Sequence, residues 1–132
     1  MPMIPWLQRL LGRRPEAVLP TISADATGFS LTQGRQSRAV PWQAVQRIAA
    51  FKQDLETHDR IVLLIEVSLA GDQLLTLPED CPGFEGLFGP MEQALGVNPA
   101  WYLEIMTPVF KPTPQVLYLR SVDPTGLRPG DD

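Results

Sequence analysis

The stretch RIVLLIEVSL, Arg60 to Leu69, decides the fold. Ile61, Leu63, Ile65, Val67 and Leu69 fall on one side of an extended chain, because successive side chains of a strand point to opposite faces. Val62, Leu64, Glu66 and Ser68 take the other side, so that face is apolar at its first end and wetter at its second. No stretch of the chain approaches the roughly 20 apolar residues that a membrane-spanning helix needs. The run reads as a strand, and a strand with a buried face needs partners.

Those partners lie on both sides of it. Upstream, Thr21–Ala24, Phe29–Thr32, Ser37–Val40 and Val45–Phe51 read as short strands. They are separated by turns at Asp25–Gly28, at Gln33-Gly34-Arg35 and at Pro41–Ala44. Downstream, Gly71-Asp72 marks a turn before Gln73–Leu77. Loops this short favour antiparallel pairing.

Beyond the strands the period changes. Phe84, Leu87, Phe88, Met91 and Leu95 recur at helical spacing, with Asp80 as N-cap, Pro82 in the first turn and Gly96 just past the end. Gly86, Gly89 and Pro90 interrupt this stripe, and an interior proline costs on the order of 3 kcal/mol. A break near Gly89 into two helical pieces is therefore expected. Asn98-Pro99 opens a further short helix over Ala100–Met106, and Gln115–Arg120 alternates as a last strand. The order predicts an α+β fold: an antiparallel curved sheet of about five to six strands followed by a kinked C-terminal helix.

The chain of 132 residues holds 14 prolines, many of them near its two ends. Residues 1–20 form an amphipathic, proline-flanked segment, 21–120 the globular body, and 121–132 a tail expected to lack order. Within Ile4–Leu11, Trp6, Leu7, Leu10 and Leu11 share one side of a helix, with Arg9, Arg13 and Arg14 alongside. Such a stripe suits a membrane surface, a partner's groove or the protein's own sheet, and all three stay open. Gln8 and Arg9 break up the N-terminal apolar run, so a signal peptide is not expected and the cytoplasm is the default compartment.

The net charge of −4 argues against nucleic acid as a partner. The lone cysteine, Cys81, fits a reducing compartment and excludes an internal disulfide. Asp54, Glu56 and His58 project to one side if that stretch is extended, which is the arrangement a metal would need. A solvated turn linking two strands is the favoured account, because no calcium-loop pattern or paired histidine supports a metal. Cys81 with His58 as base would make a nucleophile, but a helix cap at Asp80 and a small buried thiol account for the same residues. No phosphate-loop, dinucleotide or serine-hydrolase motif occurs, and no cofactor is expected. Arg35, Arg38, Arg47, Lys52 and Arg60 read as a solvated sheet face. Trp42 and Trp101 read as core, while Tyr102 and Phe110 are candidate interface anchors beside them.

The order of strands followed by a helix resembles a half-barrel of the pleckstrin-homology or GRAM type. The stretches PWQAVQRIAAFKQD (Pro41–Asp54), DRIVLLIEV (Asp59–Val67), LPEDCPGFEGL (Leu77–Leu87) and PAWYLEI (Pro99–Ile105) are similar to small bacterial proteins with no activity attached. The resemblance implies a fold across Ile22–Tyr118. It does not imply phosphoinositide binding, because the matching loop Asp25–Gly28 has no basic residue. The expected function is a non-enzymatic protein-interaction module of the adaptor or immunity type. A peripheral membrane module using residues 4–14 is the alternative, and a metal-dependent enzyme using Asp54–Asp59 a third. Pairing with a second copy is left open.

Overall fold

In the computed structural model, which describes residues 19–107 and 114–120, the run that opened the reading is the central strand of an antiparallel sheet. The strands are β1 (Thr21–Ala24), β2 (Gly28–Gln33), β3 (Gln36–Pro41), β4 (Val45–Asp54), β5 (Asp59–Ser68), β6 (Asp72–Pro78) and β7 (Gln115–Leu119). The helices are α1 (Phe88–Leu95) and α2 (Trp101–Met106), with 3₁₀ turns at Trp42–Ala44 and Phe84–Leu87. The class is α+β. The strands divide into two antiparallel sheets, β1-β2-β3 and β6-β5-β4-β7, which do not close on each other. The amphipathic residues 4–14 and the tail 121–132 lie outside the described residues, as does Phe110.

The inner faces of the two sheets meet in one core. Ile22, Phe29, Leu31 and Val40 come from the first sheet, and Ile48, Ala50, Leu63, Ile65, Leu75 and Leu77 from the second. Leu31, Ile61, Leu63, Ile65, Leu75 and Leu77 are fully closed to solvent, each worth about 1.5–3 kcal/mol of transfer free energy. Trp42 and Trp101 are buried too, at 4% and 1% exposure, as core residues. The Arg38 guanidinium bonds Gln73 Oε1 at 3.0 Å, joining β3 of one sheet to β6 of the other.

A β-bulge explains an irregularity in β4. Val45 pairs with Val67 and Arg47 with Glu66, so one extra residue, Gln46, is inserted between them. Val45 and Ile48, three apart, therefore both reach the core, which strict alternation forbids.

The helical region breaks where expected, for a gentler reason than strain. Leu87 is the N-cap of α1, which puts Pro90 in the first turn. There the N–H that proline lacks has no intrahelical partner in any case. Gly96 closes α1 at φ 72°, its N–H bonding Glu92 O at 2.9 Å. The cap expected at Asp80 is not made. Gly83 heads the preceding 3₁₀ turn at φ 84°, and Asp80 turns instead to Arg60 at 3.4 Å. The reason is tertiary: the Ile22 N–H donates to Pro82 O at 2.7 Å, and the Gly83 Cα presses on Ile22 O with no room for a Cβ. The loop is shaped to hold β1.

Candidate interaction surface

The outer face of the four-stranded sheet is set by register. Residues directly opposite in an antiparallel ladder project to the same side. Arg47, Ala49 and Phe51 of β4 face Glu66, Leu64 and Val62 of β5, which in turn face Leu74, Thr76 and Pro78 of β6. The middle rows are apolar apart from Thr76, and charge closes each end. Arg47 pairs with Glu66 at 2.9 Å at one end, and Arg60 bonds Gln53 at 2.7 Å and Asp80 at 3.4 Å at the other. Ala49 and Val62 are as shut off as core residues, at 2% and 3% exposure, yet belong to this outer layer rather than to the core.

Strand β7 extends this face. Simple alternation puts Val116 and Leu119 on opposite sides, and the structure corrects that. Leu119 pairs with Arg47, Tyr118 with Ile48 and Val116 with Ala49, so the register shifts at Leu117. The shift leaves Leu117 and Tyr118 against the core and brings Val116 and Leu119 together on the outer face, 53% and 66% exposed. Among the described residues β7 pairs with β4 alone and is the edge strand of its sheet. Its far end is pinned by Arg120, whose Nε donates to Val45 O at 3.0 Å and Nη2 to Trp42 O at 3.2 Å. Nothing in the spacing of the sequence marks Arg120 for this work.

The other candidates are placed elsewhere. The tight turn after β4 is closed by the Leu55 N–H donating to His58 O at 2.9 Å, so Asp54, Glu56 and His58 do not form one extended row. Asp54 stays at the foot of the hairpin opposite Asp59, and the His58 ring shares a 2.9 Å hydrogen bond with the Thr57 hydroxyl. Among the described residues no three His, Cys, Asp or Glu side chains gather as a metal site would require. Cys81 is buried, and that burial, reinforced by the Asp80 charge and opposed by Arg60, pushes its thiol from 9.0 up to about 12. Such a thiol carries little thiolate at neutral pH and is a poor nucleophile. Lys52 pairs with Asp59 at 3.6 Å, so three of the five basic residues of this region are in ion pairs.

A groove of about 320 Å³ lies between Ala26, Trp42, Ala94 and Tyr118. Its one charged group is Arg120, already committed to main-chain carbonyls. No described helix is long and apolar enough to cross a membrane. Comparison with known proteins gives no match: no family model fits the chain, and neither curated proteins nor solved structures include a significant relative.

Proposed function

We propose that the protein is a non-enzymatic interaction module that presents the outer face of its four-stranded sheet, with the β7 edge, to a protein partner. The observation that carries this is the pair Val116 and Leu119, both exposed on the outer face, Val116 continuing the row of Ala49 and Leu64 and Leu119 standing beside Arg47. Apolar groups concentrated on one face, rimmed by charge, are the usual anatomy of a binding surface. An adaptor or an immunity-type protein works by occupying a partner's surface, which needs no reactive group. The acidic balance of the chain favours a basic partner, through faster encounter at low salt. The pleckstrin-homology or GRAM resemblance belongs to the same proposal and rests on element order. A cytoplasmic setting also belongs to it, supported by a single buried thiol.

The test is capture from host lysate by the full chain beside its Val116→Asp/Leu119→Asp form, with His58→Ala and Cys81→Ala as controls. One partner at near-equal stoichiometry, lost in the double Asp form and kept in both controls, supports the reading. A partner that ignores Val116 and Leu119, or is lost in His58→Ala, removes it.

A further inference from the structure

The groove between the β1–β2 turn, the 3₁₀ turn at Trp42–Ala44, α1 and the end of β7 holds a cation without a counter-ion. We infer that this groove binds a small organic carboxylate, its acid group held by Arg120 and its apolar body lying along Tyr118, Ala26 and Ala94. The site shares no residue with the outer face of the four-stranded sheet, so it is independent of the function proposed above.

Charge singles out the place. Arg47, Lys52 and Arg60 have carboxylates at 2.9, 3.6 and 3.4 Å. Arg120 is half-buried and, among the described residues, in no ion pair. The other described residues that line the groove are uncharged. A guanidinium taken partly out of water is stabilised by an opposite charge, which neutral carbonyls do not supply. Asp25 adjoins Ala26 in the chain, but its Oδ1 is turned to the Thr27 hydroxyl and to the Thr27 and Gly28 N–H groups of its own turn.

The cation is also held ready. Its main-chain N–H donates to Gln46 O at 2.9 Å, its Nε to Val45 O at 3.0 Å and its Nη2 to Trp42 O at 3.2 Å. A guanidinium carries five N–H groups, so three remain, both of those on Nη1 included. The plane is fixed before a ligand arrives, and a planar fork matches a carboxylate with two parallel hydrogen bonds. Gln43, exposed at the rim, adds an amide donor.

The walls choose the body of the ligand. The Tyr118 ring centroid lies 5.9 Å from the guanidinium carbon, and Trp42 closes the floor with its indole N–H already given to Asp25 O. Ala26 and Ala94 are small and exposed, which keeps the groove of about 320 Å³ open. The same two alanines border a second hollow of about 450 Å³ beside Gly89 and Pro90, where a longer body has room to continue. One guanidinium among apolar walls suits a single negative charge on an apolar body. A phosphate, at about −1.5 to −2, calls for more donors.

Titration of the full chain followed by amide NMR tests this. The probe is phenylacetate, with phenylacetamide as its uncharged counterpart and inorganic phosphate as an anion without a body. Acetate and indole-3-acetate bracket the body size. The expected result is saturable shifts at Ala26, Gln43, Ala94 and the Trp42 indole proton, with a Kd of about 1 mM or tighter for phenylacetate. Phenylacetamide and phosphate are expected to bind at least about tenfold more weakly. Gln43→Glu brings a like charge into the groove and Ala94→Leu fills it, both at exposed positions outside the core. Each should weaken phenylacetate about tenfold while the rest of the spectrum is kept. Equal binding of the acid and the amide overturns the inference, as do shifts centred away from the groove or a Gln43→Glu form that binds unchanged. No saturable binding by any of the three carboxylates overturns it as well.

Discussion

Tyr102 donates its hydroxyl to Glu79 Oε2 at 2.7 Å, while the other oxygen of that carboxylate accepts the Ile61 N–H at 2.6 Å. One side chain at the end of β6 thus ties α2 to the first residues of β5. Phe88 packs edge-on against Trp101 and tilted against Tyr102, so the same contact sets the position of an aromatic cluster over the core.

Tyr102→Phe keeps the ring and removes the hydrogen bond. A bond to a charged acceptor is worth about 1.5–3 kcal/mol, and chemical denaturation of the variant is expected to show a loss in that range. The bond to Glu79, helped by burial, raises the phenol from 10.0 to about 12. The neutral phenol is the form that is held, so its contribution is whole below pH 10.0 and fades as the pH climbs through about 12. Ultraviolet titration of the native protein should show a late tyrosinate component that Tyr102→Phe abolishes.

Gly83→Ala is expected to be among the most damaging single changes. At φ 84° an L residue is strained by roughly 1–2 kcal/mol. The new methyl also meets Ile22 O, which bears on the attachment of β1 to the rest of the fold. Thermal unfolding should fall well below that of Gly86→Ala, where a Cβ has open space. Similar melting of the two variants contradicts the close approach.

Cys81 should resist alkylation in the folded protein. With the thiol raised to about 12, mainly by burial, the thiolate fraction stays small until the pH is strongly alkaline. A thiol-specific reagent at neutral pH is expected to modify the denatured chain at once and the native chain only as fast as it opens. Rapid native labelling removes the buried-thiol assignment.

Asp25 organises the turn between β1 and β2, accepting from the Thr27 hydroxyl at 2.7 Å, the Thr27 N–H at 2.9 Å and the Gly28 N–H at 3.2 Å. These bonds, that from the Thr27 hydroxyl first, hold its carboxyl below 3.8. The depressed value means that the turn is supported above that pH and loosens as acid protonates the carboxylate. The Trp42 indole N–H donates to Asp25 O at 2.9 Å, so its proton resonance reports the turn. Acidification through the carboxylate range should move that resonance, and Asp25→Ala should show the moved position already at neutral pH.

Much of this fold is legible in local pattern. The alternation of Ile61, Leu63, Ile65 and Val67 identified β5 because burial of one face requires period two. The turn at Gly34 and the helix end at Gly96 were equally plain, since few other residues adopt positive φ cheaply. Pro90 announced a break, and the structure shows that it starts α1 rather than distorting it.

The candidate surface was much harder to see. Val116 and Leu119 share a face because the ladder shifts at Leu117, and a bulge depends on the partner strand. Val45 and Ile48 reach the core together for the same kind of reason. Asp80 looked like a helix cap by position, but Arg60 lies within reach of it and Gly83 is held against Ile22. By itself the sequence determined the α+β class, the strand and turn succession and the apolar content of the core, all of which follow from periodicity and backbone chemistry within a few residues. Only the tertiary structure decided how the seven strands of the described residues divide into two sheets, which face of β4 and β7 looks outward, and that Glu79 and Arg120 serve as anchors. These depend on register and on contacts between residues far apart in the chain, where the energy resides in the pairing and not in either segment alone.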